Sequence, residues 1–147
     1  MDVRRATRDD LEAVAPLLAE ASLAPLPPHL PLQNCLVALD EEKVVGAVAL
    51  EVRGLRGLLC ALVVAPGHRR HGLGGSLVES ILARAHELSL RDLYVLPGDE
   101  ESFFTKQGFL AVDSDDMAPE IRSTLAYRAA GPEPPAVMRF PLATRCV

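Results

Sequence analysis

Apolar and polar residues follow two different periods along the chain, and these periods predict its secondary structure. Apolar residues at helical spacing predict helices from the cap Thr7 to about Ala21, from Leu73 to about Leu88, and over Glu101–Lys106. Runs rich in β-branched and aliphatic residues predict strands at Val3–Ala6, Leu36–Leu39, Val44–Val52, Leu58–Val64, Leu93–Leu96, Phe109–Val112 and Ala136–Leu142. The predicted order is therefore β-α-β-β-β-α-β-α-β, with one further strand to close a sheet.

The first helix and the segment after it carry strong local signals. Thr7 with Asp10 three residues later is an acidic variant of the capping box, which marks a helix start. Pro16 lies inside the predicted helix, where a proline removes a hydrogen bond and can bend the axis. Four prolines between Pro25 and Pro31 exclude a regular helix there, so a loop is expected.

The most informative segment is Leu58–Ser76, in which an apolar run leads directly into a basic, glycine-rich turn. The run is unbroken, as expected of a strand covered on both faces. The turn contains Arg69, Arg70, His71 and Gly72 and leads into a predicted helix. Amides in a first helical turn have no intrahelical partner, and the helix dipole is positive there, so an anion is favoured. The segment predicts a diphosphate site.

The spacing of this turn distinguishes it from other phosphate loops. The pattern GxxxxGK[ST] is absent, and the one GxG lies mid-chain after basic residues rather than in the first turn of a dinucleotide fold. Arg-x-x-Gly-x-Gly at Arg69, Gly72 and Gly74 resembles the pyrophosphate motif of the GNAT superfamily of acyl-CoA N-acyltransferases. A solvated basic face beside a plain turn is the alternative. It accounts less well for two arginines, a histidine and three glycines within seven positions.

The resemblance implies a fold and a cofactor. The fold is α+β with α/β/α layers: a mixed, mostly antiparallel central sheet of about six to seven strands flanked by helices, in one domain over residues 1–147. The co-substrate is acetyl-CoA, held in a cleft where two strands splay apart. The cofactor-binding positions carried over from the family are Leu62, Val63, Val64, Arg69, Arg70, His71, Gly72, Leu73, Gly74, Gly75, Ser76 and Phe104.

Composition narrows the functional class. The length of 147 residues, 49% hydrophobic and 24% charged, is typical of one soluble globular domain. A net charge of −5 argues against a nucleic-acid partner, and the longest apolar run is too short to span a bilayer. The N-terminus lacks the apolar stretch of a signal peptide, so a cytoplasmic enzyme is expected. Three widely spaced cysteines, with no CxxC pair, indicate neither disulfides nor a metal site.

A second resemblance lies in the segment SFFTKQGF over residues 102–109. Members of the superfamily commonly end a short helix with xYxxxGF, in which the tyrosine protonates the departing CoA thiolate. Phe104 stands at the tyrosine position, and phenylalanine cannot donate a proton. The acid must then be water or a side chain from elsewhere, such as Tyr127.

Acetyl transfer to an amine has further requirements. The thioester oxygen needs a hydrogen-bond donor, which in the family is a backbone amide of the motif strand, and Val64 is the candidate. The ammonium must lose a proton, and Glu51 at the end of the preceding strand is the candidate base. A solvated strand-end charge is the alternative for Glu51, and Glu20, His29 and Asp116 are weaker candidates. No residue is an evident activated nucleophile, so sequential transfer without an acyl-enzyme is expected.

The acceptor is predicted from a finer resemblance. Residues 103–109 together with the element Pro-Glu-Ile-Arg at 119–122 look like small arsenic-resistance N-acetyltransferases, which are similar to the acetyltransferase domain of N-acetylglutamate synthases. The predicted acceptor is a small, anionic, amino-acid-like amine, and Arg122 is the candidate for holding its carboxylate or oxyanion. A protein or peptide acetyltransferase and a non-catalytic acyl-CoA-binding module are the alternatives. An edge strand near the C-terminus could support a homodimer.

Overall fold

The structure is a computed structural model that describes residues 2–69, 72–130 and 134–142. Short 3-10 turns occupy Leu32–Asn34, Pro66–His68 and Ser114–Asp116. The strands and helices, in chain order, are β1 (Asp2–Arg5), α1 (Arg8–Glu20), β2 (Cys35–Asp40), β3 (Lys43–Arg53), β4 (Arg56–Val64), α2 (Leu73–Glu87), β5 (Asp92–Val95), α3 (Glu101–Lys106), β6 (Leu110–Val112), α4 (Pro119–Arg122), α5 (Leu125–Ala129) and β7 (Val137–Pro141).

Seven strands form one sheet in the order β1-β2-β3-β4-β5-β7-β6. Strands β4 and β5 are parallel, whereas β1 with β2, β2 with β3, β5 with β7 and β6 with β7 are antiparallel. The expected mixed, mostly antiparallel sheet flanked by helices is therefore confirmed. Helices α4 and α5 were not predicted, because each is only one turn long and carries little periodicity.

Within this fold the chain divides into two compact units. We call Met1–Leu50 with Cys60–Arg84 the turn unit, because it contains the glycine-rich turn. We call Glu51–Leu59 with Ala85–Val147 the aromatic unit, because all four phenylalanines and both tyrosines of the chain belong to it.

The core of the turn unit is aliphatic. Its N-terminal helix begins as predicted: the Asp10 amide donates to Thr7 Oγ1 and the Thr7 amide donates to Asp10 Oδ2, which is a complete capping box. Helix α1 continues past Pro16 to Glu20 without interruption. The core against which α1 packs consists of Ala6, Val14, Leu18, Cys35, Val37, Ala47, Ala49, Ala61 and Val63.

The aromatic unit has a larger-volume core. Phe103, Phe104 and Phe109 form edge-to-face pairs with centroids 5.0 and 5.5 Å apart, and Phe140 packs on Phe109 at 5.4 Å. Helix α3 ends at Gly108, whose φ of +102° is the left-handed conformation expected of a helix-terminating glycine. The predicted strand at Phe109 begins one residue later, because the Phe109 amide still donates to the Phe104 carbonyl of α3.

Two general features complete the description. Among the described residues, no helix combines the length and apolar character needed to cross a membrane. Within the same ranges, no three His, Cys, Asp or Glu side chains are grouped so that they could hold a metal ion.

Burial raises the pKa of the Cys35 thiol to about 11, so Cys35 stays a neutral core thiol at neutral pH. Cys146 lies outside the described residues.

Candidate active site

The turn between β4 and α2 leads into a helix start whose first amides have no intrahelical acceptor. Gly72 has a φ of +78°, a left-handed conformation that favours glycine. The first intrahelical bond runs from the Ser76 amide to the Gly72 carbonyl at 3.1 Å, and Ser76 Oγ donates to the same oxygen. The amides of residues 73–75 precede that bond and therefore have no intrahelical acceptor. Together with the positive end of the 15-residue helix α2, they form a place suited to an anion.

Arg69 connects this turn to the rest of the turn unit. Its Nε donates to the Val64 carbonyl at 3.0 Å, and its Nη2 lies 3.2 Å from Glu20 Oε2 at the end of α1. Arg69 and Glu20 are each about half exposed, so the ion pair is solvated. Arg69, a predicted cofactor-binding residue, thus connects the turn to the end of β4. Its guanidinium has further N–H donors that a ligand can use. The predicted residues Arg70 and His71 lie outside the described residues.

The end of β4 directs the Val64 amide away from β3. The Ala65 amide donates to the Val45 carbonyl of β3 at 2.7 Å. Because successive amides of an extended strand alternate in direction, the Val64 and Leu62 amides point to the opposite edge. The register of β4 with β5 extends only from Arg56 to Leu59. The Val64 amide is therefore in a position to donate to a thioester oxygen or an extended ligand chain.

Glu51 is buried rather than solvated. Its side chain at the end of β3 is only 5% exposed and lies 2.7 Å from Nη2 of Arg53. The alternative of a solvated strand-end charge is therefore wrong. Glu51 is thus a buried carboxylate in contact with the Arg53 guanidinium.

The other candidate residues of the aromatic unit occupy different surroundings. Phe104 is buried in the phenylalanine cluster, where its ring packs edge-to-face on two neighbours. Tyr127 on α5 is half-buried and packs against the core that contains Tyr94 and Ile121. Arg122, at the end of α4, is exposed. The structure thus brings Val64, Arg69 and residues 72–76 together within the turn unit, whereas Glu51, Phe104, Arg122 and Tyr127 belong to the aromatic unit.

The sequence did not predict a buried ionic network in the aromatic unit. Asp92 has no exposed surface, and its Oδ2 accepts hydrogen bonds from Arg56 and Arg139, the latter at 2.8 Å. These residues are 36 and 47 positions from Asp92 along the chain, so no local motif links them. The available signal is an aspartate two residues before Tyr94 in a short apolar strand, which places both on one face.

Comparison with known proteins identifies the family. The family described as acetyltransferase (GNAT) domain matches residues 31–110. An amino-acid acetyltransferase of Ralstonia nicotianae is 32% identical over 132 residues, which are 84% of this chain and 29% of that protein. An amino-acid acetyltransferase of Mycobacterium tuberculosis is 30% identical, over 81% of this chain and 74% of that protein. The chain thus spans less than a third of the Ralstonia relative.

Solved structures agree on the fold. N-acetylglutamate synthase of Neisseria gonorrhoeae, complexed with coenzyme A and N-acetyl-glutamate, superposes with a TM-score of 0.83 at 21% identity, over 97% of this chain and 35% of that one. A Mycobacterium tuberculosis protein in complex with CoA gives 0.77 at 26% identity, over 97% and 100%. The glycine-rich turn, the seven-stranded sheet and these relatives agree: the chain belongs to the GNAT family of acetyltransferases, whose co-substrate is acetyl-CoA.

Proposed function

We propose that this protein is an acetyl-CoA-dependent N-acetyltransferase that acetylates the primary amine of a small, anionic, amino-acid-like acceptor by direct transfer. The observation that carries the proposal is the glycine turn before α2, where three successive amides lack intrahelical acceptors. The two relatives named amino-acid acetyltransferases support an amino-acid-like acceptor. Arsenic- or phosphorus-containing analogues of amino acids are candidate acceptors of the same class, because of the resemblance to arsenic-resistance N-acetyltransferases.

The proposed cofactor site lies in the turn unit. The diphosphate would lie on the amides of residues 73–75, with Ser76 and the free guanidinium donors of Arg69 beside it. The pantetheine arm would run along the free edge of β4 at Leu62–Val64. Arg70, His71 and Phe104 remain predicted cofactor contacts on the family resemblance.

The proposed reaction uses the same strand end. The neutral amine attacks the thioester carbonyl carbon, the carbon–sulfur bond breaks, and the Val64 amide stabilises the charge on the oxygen. Glu51 takes the proton that the amine loses, and water or Tyr127 returns a proton to the thiolate. Arg122 would hold the carboxylate of the acceptor. Cys35 is excluded as an acyl carrier, because its pKa of about 11 keeps the thiol protonated.

The proline-rich loop supports a small acceptor. The loop and α1 line an apolar pocket of about 500 Å³ whose wall includes Leu18, Leu23, Leu26 and Cys35. A pocket of this volume falls within the range of small-molecule sites. A screen of acceptors therefore includes amino acids with apolar side chains beside the anionic ones.

Titration calorimetry with acetyl-CoA and desulfo-CoA, followed by thiol release over an acceptor panel, tests the proposal. The panel contains L-glutamate, L-methionine, a phosphinic amino-acid analogue and a short peptide. We expect binding of both CoA compounds and release with one of the free amino acids. Glu51→Gln should lower kcat, whereas Glu42→Gln, at an exposed position in the β2–β3 turn, should leave kcat unchanged. Failure of acetyl-CoA to bind would contradict the proposal.

A non-catalytic acyl-CoA-binding module is a second candidate, favoured by one observation. Phe104 has no proton to donate and its ring is locked in the aromatic core. Binding of acetyl-CoA without thiol release from any acceptor would support this candidate. Release with the peptide alone would instead indicate a peptide acetyltransferase. The cytoplasmic location and the homodimer stay predictions.

A further inference from the structure

The aromatic unit contains a pocket of about 280 Å³ whose wall combines both signs of charge. Its polar side chains are Arg56, Arg139, Asp116 and the phenol of Tyr94, and Val112 and Ala118 complete the wall. Apart from Asp116, which the sequence offered as a weaker candidate for the base, none of these residues was assigned above to acetyl-CoA or to the transfer step. The pocket therefore needs its own explanation.

Strand register places the arginines on one face of the sheet. Arg56 of β4 is the register partner of Asp92 on β5, and Tyr94 of β5 is the partner of Arg139 on β7. Residues 92 and 94 share a face because side chains alternate along a strand, and register partners project from the same side. Backbone pairing alone thus brings both guanidinium groups to Asp92.

Asp92 orients both arginines, and Glu120 pairs with Arg56 at longer range. The carboxylate has no exposed surface, and a single oxygen accepts from Arg56 Nη1 and from Arg139 Nε. A guanidinium carries five N–H donors, and each arginine gives one nitrogen to Asp92, so donors remain for a ligand. The side chains of Arg56 and Arg139 are 25% and 39% exposed. The hydrogen bond to Asp92 also raises the pKa of Arg139, which keeps its charge fixed.

Carboxylates beside the pocket restrict which anion fits. Asp116 lines the same pocket, and Glu120 Oε2 lies 3.9 Å from Arg56 Nε. A phosphate dianion would be repelled by both carboxylates. A zwitterion would satisfy both signs of charge, with its carboxylate on the arginines and its ammonium toward Asp116.

We infer that this pocket binds a free α-amino acid through the guanidinium groups of Arg56 and Arg139 and the carboxylate of Asp116. The limited volume selects a small side chain. The inference does not depend on acetyl transfer, because it rests on the charges and register of the aromatic unit alone.

NMR of arginine side chains tests this site without acetyl-CoA. The Nε–Hε cross-peaks of Arg56 and Arg139 are followed during titration with L-alanine, with L-alaninamide, which lacks the carboxylate, and with N-acetyl-L-alanine, which lacks the ammonium. We expect a saturable shift with L-alanine and at least about tenfold weaker binding of the other two, as for loss of a charged hydrogen bond. Absence of a saturable shift, or equal affinity for all three, would overturn the inference.

Variants separate the site from a general effect on folding. Arg139→Gln should weaken L-alanine binding at least about tenfold, and Arg139→Lys should recover part of the affinity because the charge remains. Arg91→Gln is the matched control, since Arg91 is exposed and lies next to Asp92 in sequence. Weaker binding in Arg91→Gln to the same degree would contradict the assignment.

Steady-state kinetics then distinguish whether the bound amino acid is the acceptor of the acetyl group or an effector. A raised KM for the amine acceptor in Arg139→Gln, with kcat retained, would make the bound amino acid the acceptor itself. An unchanged KM with a changed response of kcat to L-alanine would make it an effector. Either result requires the site, and loss of activity without any change in L-alanine binding would contradict it.

Discussion

The two units of this protein bind charge in opposite ways. In the turn unit, the proposed anion site consists of backbone amides and the Glu20–Arg69 pair is about half exposed, although Asp10 is buried and pairs with Arg4. In the aromatic unit, the carboxylates of Glu51 and Asp92 are buried and paired with arginine side chains. All six phenylalanine and tyrosine residues of the chain belong to this second unit.

This difference predicts where charge changes are costly. A backbone site tolerates loss of nearby side-chain charge, because glycine conformation and amide direction create it. A buried carboxylate between guanidinium groups cannot lose its charge without leaving cations poorly solvated. The same kind of substitution should therefore have a large effect in one unit and a small effect in the other.

The largest effect on stability is expected from Asp92→Ala. Removal of the carboxylate leaves Arg56 and Arg139 without their shared acceptor, and breaking a buried ion pair typically costs about 3–5 kcal/mol. Partial exposure of both arginines favours the lower end, about 3 kcal/mol. Urea unfolding measures the loss. Asp40→Asn is the control, because Asp40 is exposed and pairs with His68 in the turn unit. An equal loss of unfolding free energy in Asp40→Asn would mean that the two units do not differ in the cost of losing a charge.

Gly72→Glu should have the next largest effect, on acetyl-CoA affinity. The new side chain places a carboxylate beside the amides of residues 73–75 and forces an L-residue into a φ of +78°. We expect at least a hundredfold weaker binding by calorimetry, about 3 kcal/mol. Gly72→Gln has nearly the same shape without the charge, so it measures the backbone strain alone. Wild-type affinity in Gly72→Glu would show that the diphosphate lies elsewhere.

These two sites also show what sequence can and cannot predict. Residues 58–76 are contiguous, so the strand, the turn and the helix start could be predicted from local spacing, and the fold followed from the order of elements. Asp92 meets Arg56 and Arg139 only through strand register, which no local pattern encodes. The burial of Glu51 was missed because it depends on tertiary packing, although its partner Arg53 lies only two residues away on the same strand.

A smaller, pH-dependent effect is expected from Asp10→Ala. Hydrogen bonds from Arg4 and from Thr7 hold the pKa of Asp10 below its usual range in the folded state. The carboxylate therefore stabilises the fold above the pKa of the unfolded chain, about 3.9, and this contribution disappears as pH falls through the lower folded value. We expect a cost of about 1 kcal/mol at pH 7, typical of a lost cap.

Urea unfolding of Asp10→Ala and wild type at neutral and acidic pH measures this dependence. The difference between the two proteins should shrink on acidification. Asp9→Ala is the matched control, because Asp9 is an exposed acid in the same first turn of α1. A difference that stays constant down to strongly acidic pH would mean that Asp10 acts through packing and not through its charge.

The smallest effect is expected from Glu20→Gln, and it tests the comparison most directly. Arg69 keeps its hydrogen bond to the Val64 carbonyl when Glu20 loses its charge, so the turn stays tied to β4. An exposed pair contributes about 0–1 kcal/mol, and we expect a stability loss below about 0.5 kcal/mol with acetyl-CoA affinity unchanged. A loss as large as that of Asp92→Ala would mean that exposure does not decide the cost of a charge here. The anion site of the turn unit would then depend on side-chain charge as well as on backbone amides. In that case the Glu20–Arg69 pair would be what holds the turn in place.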